Sequence, residues 1–249
     1  ARHACGLVAL TRAGAKLTEA HRRAQLAVRS ATLRDLLRIW PAWDVNAYAS
    51  TWPPVEAALV PLIQHRGSIS AGLAASYYTD FRGAEGIDGP GTPRVAPLIP
   101  ADDITAALRR TGPANVGRLL SVGRRDAMAV ALTDTSGEAT RLVLGAGRDT
   151  LHGSIDADPK AHGYARVTDG SPCSFCAMLA SRGAVYRSRQ AAEGKKYHGH
   201  CGCTAEPVYD LAAPPPPGAE KFAVLWNEST KGRSGRDARI AFRRAIEGR

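Results

Sequence analysis

The sequence predicts a mainly α protein: a helical N-terminal body, a small α+β module, and a C-terminal helix. Three observations predict this. Apolar residues recur at helical spacing through about the first 160 residues. No alternating β-branched run appears in that half, so a sheet is not expected there. After Pro159 the character changes, and four of the five cysteines fall with two histidines inside residues 173–203. The expected organisation is a helical domain at 1–160, a cysteine module at 161–211, a proline-rich linker at 212–218 and a basic helical tail at 219–249.

The first helix is expected to bury Leu26, Leu33, Leu37 and Trp40, with Arg22, Arg23, Arg29, Arg34, Asp35 and Arg38 filling much of the other face. Pro41 stops it. A second helix begins near Pro53 and Pro54, with Val55, Leu59, Leu62, Ile69, Leu73 and Tyr77 as its apolar face. Pro61 is expected to kink or split it. Gly83, Gly86, Gly89, Pro90, Gly91, Pro93 and Pro97 make Arg82 to Pro100 a loop. Asp102 then suits the N-cap of a short helix bearing Ile104 and Leu108. Pro113 opens another through Val116, Leu119 and Leu120 towards Val130, and an amphipathic stretch follows from about Ser136 to Ile155. Residues 164–209 read as short turns and strands around the cysteines. The four prolines Pro214 to Pro217 favour a stiff extended segment before a helical tail.

Composition narrows the core and the partners. Aromatics are only 6% of the chain, so Ala, Leu and Val must fill most of the interior. Trp40, Trp43, Trp52, Tyr77 and Tyr78 are read as core anchors. The net charge of +10 favours acidic partners, such as nucleic acid, an anionic membrane surface or an acidic protein. Free use of arginine in a GC-rich genome would give the same excess. No apolar run is long enough to span a membrane, and residues 1–10 lack a signal-peptide core.

The cysteines carry the chemistry. A disulfide framework would spread them along the chain, whereas clustering with histidines points to metal, and to reduced thiols of an intracellular place of synthesis. Cys173 and Cys176 form a Cys-x-x-Cys pair. Ser171 as cap and Pro172 in the first helical position would set both thiolates on a helix's first turn, where the dipole favours them. Twenty-one residues on, His198, His200, Cys201 and Cys203 supply further donors, with Gly199 and Gly202 for tight turns. Six candidates thus compete for the four positions of a structural zinc: Cys173, Cys176, His198, His200, Cys201 and Cys203. Disulfides, or a redox-active Cys-x-x-Cys, are the alternatives. A catalytic zinc would need a general base, for which Glu193 and Glu206 are the nearby carboxylates. Pro172 to Cys176 mimics half of a deaminase pattern, but His162-Gly163-Tyr164 lacks its glutamate. His152 and His162 read as surface or loop residues. Ser70 with His65 lacks a nucleophile elbow, and Gly145-Ala146-Gly147 is no phosphate loop.

Ser171 to Tyr186, followed by Lys196 to Val208, resembles the MuF-like minor head proteins of tailed phages, especially those of actinobacterial hosts. The family's pattern of Cys-x-x-Cys, a short hairpin, then His-x-x-Cys-x-Cys and Pro falls on Cys173, Cys176, His198, Cys201, Cys203 and Pro207. His200 is an added donor. Trp226 to Thr230, Ala241 to Ala245, Trp52-Pro53-Pro54 and Ala75 to Tyr78 extend a looser likeness over most of the chain. The resemblance implies a structural protein of the virion, assembled in the host cytoplasm and placed in the capsid interior or near the portal. Its implied partners are portal protein, major capsid protein or packaged DNA, and its implied role is head morphogenesis or DNA delivery. Some relatives are linked to capsid maturation proteases, so a protease is one alternative. A zinc-stabilised nucleic-acid-binding module is the other.

Overall fold

The computed structural model describes residues 11–89, 91–183, 197–212, 216 and 218–248. Cys5, Glu193, Pro214, Pro215, Pro217 and the hairpin expected between the two cysteine clusters lie outside them. The fold is mainly helical, with one two-stranded sheet among the described residues.

Helix α1 (Arg12–Ile39) starts at Thr11, whose hydroxyl accepts the Gly14 amide hydrogen at 2.8 Å. Its buried stripe is Gly14, Thr18, His21, Gln25, Val28, Thr32 and Leu36, not the leucine stripe that the sequence suggests. Leu37 is 53% exposed, and Leu26 and Leu33 are only partly covered. The stripe turns because the inward polar groups find partners. The Gln25 amide donates to the Ser70 carbonyl and accepts from the Ser70 hydroxyl, and Thr32 donates to the Val28 carbonyl. A satisfied polar side chain costs little to bury, so hydrophobicity alone misplaced the face.

Trp40, Trp43 and Trp52 pack on one another in the turn that follows, with ring centroids 4.6–6.4 Å apart. Tyr77 and Tyr78 are buried as well, so all five expected anchors lie in the core.

Helix α2 (Trp52–Ala84) runs unbroken through Pro61. The proline is on the exposed face, and so is Ala57, whose carbonyl loses its helical partner there. Solvent can satisfy that carbonyl, which is why the helix continues. Arg82 therefore belongs to α2 and not to a loop. Its guanidinium pairs with Asp158 at 3.1 Å and gathers the carbonyls of Ile87, Asp88 and Gly89.

The segment 91–100 is extended and crosses α5, with the amides of Arg94 and Ala96 donating to Ser154 and Thr150. Helix α3 (Ala101–Thr111) begins one residue before Asp102, which serves in the first turn with Asp103 and not as the cap. Helix α4 (Pro113–Ser121) ends well short of Val130, and Leu120 is 38% exposed.

Helix α5 (Ala127–Ala157) is longer than expected and forms the centre of the body. Its most extensive partner is α2, with α1 packed on both. At the crossing with α2, Gly147 lies so close that an added Cβ would sit 2.5 Å from the Ser70 hydroxyl. His152 is not a surface histidine. It is buried on α5, with its ring 4.4 Å from that of Tyr164.

Strand β1 (Gly163–Val167) pairs antiparallel with β2 (Thr204–Val208), with Ala165 opposite Glu206. Both strands are buried throughout, held between α5 and helix α6 (Ser174–Ser181). A lone strand pair is marginal in water, so this packing is what keeps it folded. Helices α7 (Glu220–Ser229) and α8 (Gly235–Glu247) cover α6. Phe222 and Phe242 are buried in one cluster with Met178 and Leu179. The tail is thus packed on the cysteine module.

Candidate metal centre

Helix α6 places the first donor pair. Its cap is Cys173 itself, whose Sγ accepts the Cys176 amide hydrogen at 3.4 Å. Ser171 and Pro172 precede the helix, so neither takes the capping or first helical position expected of it. The three-residue spacing still turns both sulfurs to one side of the first turn.

The second set of donors comes from a tight turn in which the Cys201 amide donates to the His198 carbonyl at 3.3 Å. The left-handed residue of this turn is His200, with φ 66°, and neither Gly199 nor Gly202 has a positive φ. The two glycines serve close approach. A Cβ on Gly199 would lie 3.3 Å from the Gly137 backbone, and one on Gly202 would lie 2.7 Å from Leu26 and 2.8 Å from Asp169. The turn is thereby pressed onto α5 and α1.

Five of the six candidate donors come together. Cys173, Cys176 and His198 form one group and Cys176, Cys201 and Cys203 another, the ligand atoms of each lying within 4.8 Å of one another. His200 belongs to neither group. It is exposed and leans on α5 at Gly137, where an added Cβ would meet its ring at 2.7 Å. Glu206 is also elsewhere: it is buried in β2, accepts a hydrogen bond from Thr18, and has its carboxyl raised to about 7 by burial. Ser70 is buried against Gln25 and His65 is exposed, so the two do not form a reactive pair.

The donor chemistry fits a transition-metal ion. Cys176 and Cys201 are 3.6 Å apart at sulfur, far beyond a disulfide bond. Tetrahedral zinc–sulfur bonds of about 2.3 Å would set sulfurs roughly 3.8 Å apart. Nδ1 of His198 lies 2.6 Å from the Gly199 carbonyl, which can only accept, so Nδ1 carries the proton. Nε2 is then left with its lone pair, 2.9 Å from the Cys173 sulfur. A ligating imidazole is usually held in this way.

The sulfurs also share charge unevenly. Hydrogen bonding from Cys176, with His198 alongside, draws the Cys173 thiol down to about 5. Cys201 is likewise lowered, by hydrogen bonds from Cys176 and Cys203 and by the nearby Arg148. Cys176 and Cys203 are pushed up, Cys176 by its hydrogen bonds to the Cys173, Cys201 and Cys203 sulfurs, Cys203 by its bond to Cys201, and both by burial, so the four sulfurs do not all ionise together. A dication among them removes that conflict. His198 is raised, since its bonds to the Gly199 carbonyl and the Cys173 sulfur outweigh its partial burial.

Residues that the motif did not mark complete the site. Asp169 accepts from the Gly202 amide at 2.9 Å and from the Ser171 amide at 3.2 Å, so it ties the two clusters together. Arg148 of α5 donates through Nε to the Cys203 carbonyl at 3.0 Å and through Nη2 to the Cys201 carbonyl. Arg148 lies over the Tyr197 ring, 3.8 Å from its centroid, and so does Arg166 of β1, 4.0 Å away. These arginines carried no sequence signal among 33 basic residues.

Fold and site together define a helical protein with a Cys/His knuckle, clamped between two long helices and a strand pair and able to hold a metal ion. A model of the VG15 protein family matches residues 13–229, spanning both the body and the knuckle. The chain belongs to the VG15 protein family, a phage-associated family. Comparison with curated proteins and with solved structures gave no match. No described helix is long and apolar enough to cross a membrane.

Proposed function

We propose that this chain is a structural minor head protein of the MuF-like type in a tailed phage. It is assembled in the host cytoplasm and held in the virion at the portal or on the inner face of the capsid. There it serves head morphogenesis or DNA delivery. The observation that carries this reading is the family match, which runs from the first helix through the knuckle into α7. The net charge of +10 supports an acidic partner surface.

In the same reading the knuckle holds one structural zinc. Cys173, Cys176 and Cys201 supply three of its ligands, and Cys203 or His198 the fourth. Such a site adds folding free energy directly, because the unfolded chain has no preformed cage. The expected units are the body at 1–160, the knuckle module at 161–211, the linker at 212–218 and the tail at 219–249.

Two measurements test this. Elemental analysis should give one zinc per chain, lost in Cys173→Ser and Cys176→Ser; metal-free protein with intact thiols would remove the zinc. Purified particles should contain the chain, and portal protein should capture it with shallow salt dependence. Absence from particles would sink the structural role. A steep loss of DNA binding with salt, without portal capture, would favour the nucleic-acid module instead.

A further inference from the structure

Arg148 is 3% exposed on α5, and no carboxylate pairs with it among the described residues. Burying a guanidinium without a counter-charge is costly. What surrounds it is the knuckle: the carbonyls of Cys201 and Cys203 and the face of Tyr197. Nη1 makes no hydrogen bond among the described residues, so carbonyls alone do not satisfy the group. Arg166, 1% exposed, brings a second cation to the same tyrosine ring.

The missing negative charge has a natural source. A dication ringed by four thiolates carries two net negative charges, and one ringed by three thiolates and an imidazole carries one. We propose that Arg148 is the buried counter-charge of a metal–thiolate cluster and fixes its Cys201 and Cys203 ligands through their carbonyls. This rests on the zinc reading above. Arg148 is a positioning residue: it touches the ligand residues and not the metal. The Tyr197 ring lies within 4.0 Å of both guanidiniums, and its polarisable face suits cations that would otherwise repel.

The arrangement predicts opposite effects with and without metal. In the metal-free protein Arg148 is a buried guanidinium held by the Cys201 and Cys203 carbonyls and the Tyr197 ring, with no metal–thiolate cluster to balance it, so Arg148→Met should leave stability unchanged or raised. In the zinc form the same change should weaken binding about 10- to 100-fold, as loss of an outer-shell partner does. Arg148→Lys keeps the charge but not the two-pronged grip on the Cys201 and Cys203 carbonyls, so it should bind more weakly than wild type yet more tightly than Arg148→Met.

The experiment is zinc affinity of the full chain by chelator competition, with denaturant unfolding of each variant with and without zinc. A large loss for Arg148→Met with a smaller loss in Arg148→Lys supports the proposal. Wild-type affinity in Arg148→Met overturns it. A loss in Arg148→Lys as large as that in Arg148→Met also overturns it, and if Arg148→Met does not fold, wild-type affinity in Arg148→Lys overturns it. Wild-type protein that binds no zinc would instead refute the zinc reading.

Discussion

Glu206 offers the sharpest test of how this fold is held together. Its carboxylate is 2% exposed, on a strand pressed between helices, and its one described hydrogen bond comes from the Thr18 hydroxyl. Burial, reinforced by the charge of Glu85, raises its pKa from 4.5 to about 7. At about 1.4 kcal/mol for each tenfold change in proton affinity, that rise is worth about 3 kcal/mol. The sign is set by which state holds the proton. Between 4.5 and 7 the unfolded chain has released it while the folded chain keeps it, so stability falls as pH rises through this window and levels off above it. His21 opposes this trend. Burial lowers it from 6.5 to about 4, so its contribution is complete above 6.5 and is lost as pH falls towards 4. In wild type the two slopes nearly cancel across the acidic range. Glu206→Gln removes one of them. The amide keeps an acceptor for Thr18 and carries no charge. The variant should be more stable than wild type by about 3 kcal/mol near pH 8, and by little near pH 4. Denaturant unfolding of both proteins at matched pH and metal load measures this, and the difference removes any pH dependence they share. A constant difference across pH would refute the account of Glu206 as a carboxyl kept protonated by burial.

Two further perturbations probe the body and the tail. Gly147→Ala would put a Cβ 2.5 Å from the Ser70 hydroxyl and 2.9 Å from the Ser70 carbonyl oxygen. It should force α5 off α2 at a cost of about 1–3 kcal/mol by denaturant unfolding, whereas a neutral result would mean the crossing is loose. Phe242, 1% exposed, packs its ring 5.0 Å from Trp226 inside the cluster that covers α6. Phe242→Ala should cost about 3 kcal/mol or more and speed proteolytic release of the tail. An unchanged release rate would show that the tail is not held by its packing on α6.

Much of the helical body was legible because its signals are local. Prolines at helix starts, apolar recurrence and the glycine–proline stretch after α2 each act within a few residues. The errors have one origin. On α1, Thr18, His21 and Gln25 turn inward because Tyr77, Thr204 and Ser70 wait there, and a hydrophobic pattern cannot register partners 45 to 183 residues away. Pro61 was misjudged in the same way, since its effect depends on whether Ala57 faces solvent. Cys173 was recognised as a donor, but its capping role depends on where the chain enters α6.

By itself the sequence determined the candidate site: Cys-x-x-Cys fixes two sulfurs on one helical turn, and a second cluster rich in His and Cys supplies further donors that could hold a metal ion. It also determined that helices would dominate, because periodicity and breakers are written residue by residue. Only the tertiary structure decided which of the six donors meet, that His200 turns away to Gly137, and that Arg148 and Arg166 close on Tyr197 behind the knuckle. It alone also laid the tail on α6. The physical reason is range: backbone geometry sets spacing along the chain, whereas a buried charge or ring is placed by the packing of surfaces that the chain brings together from far apart.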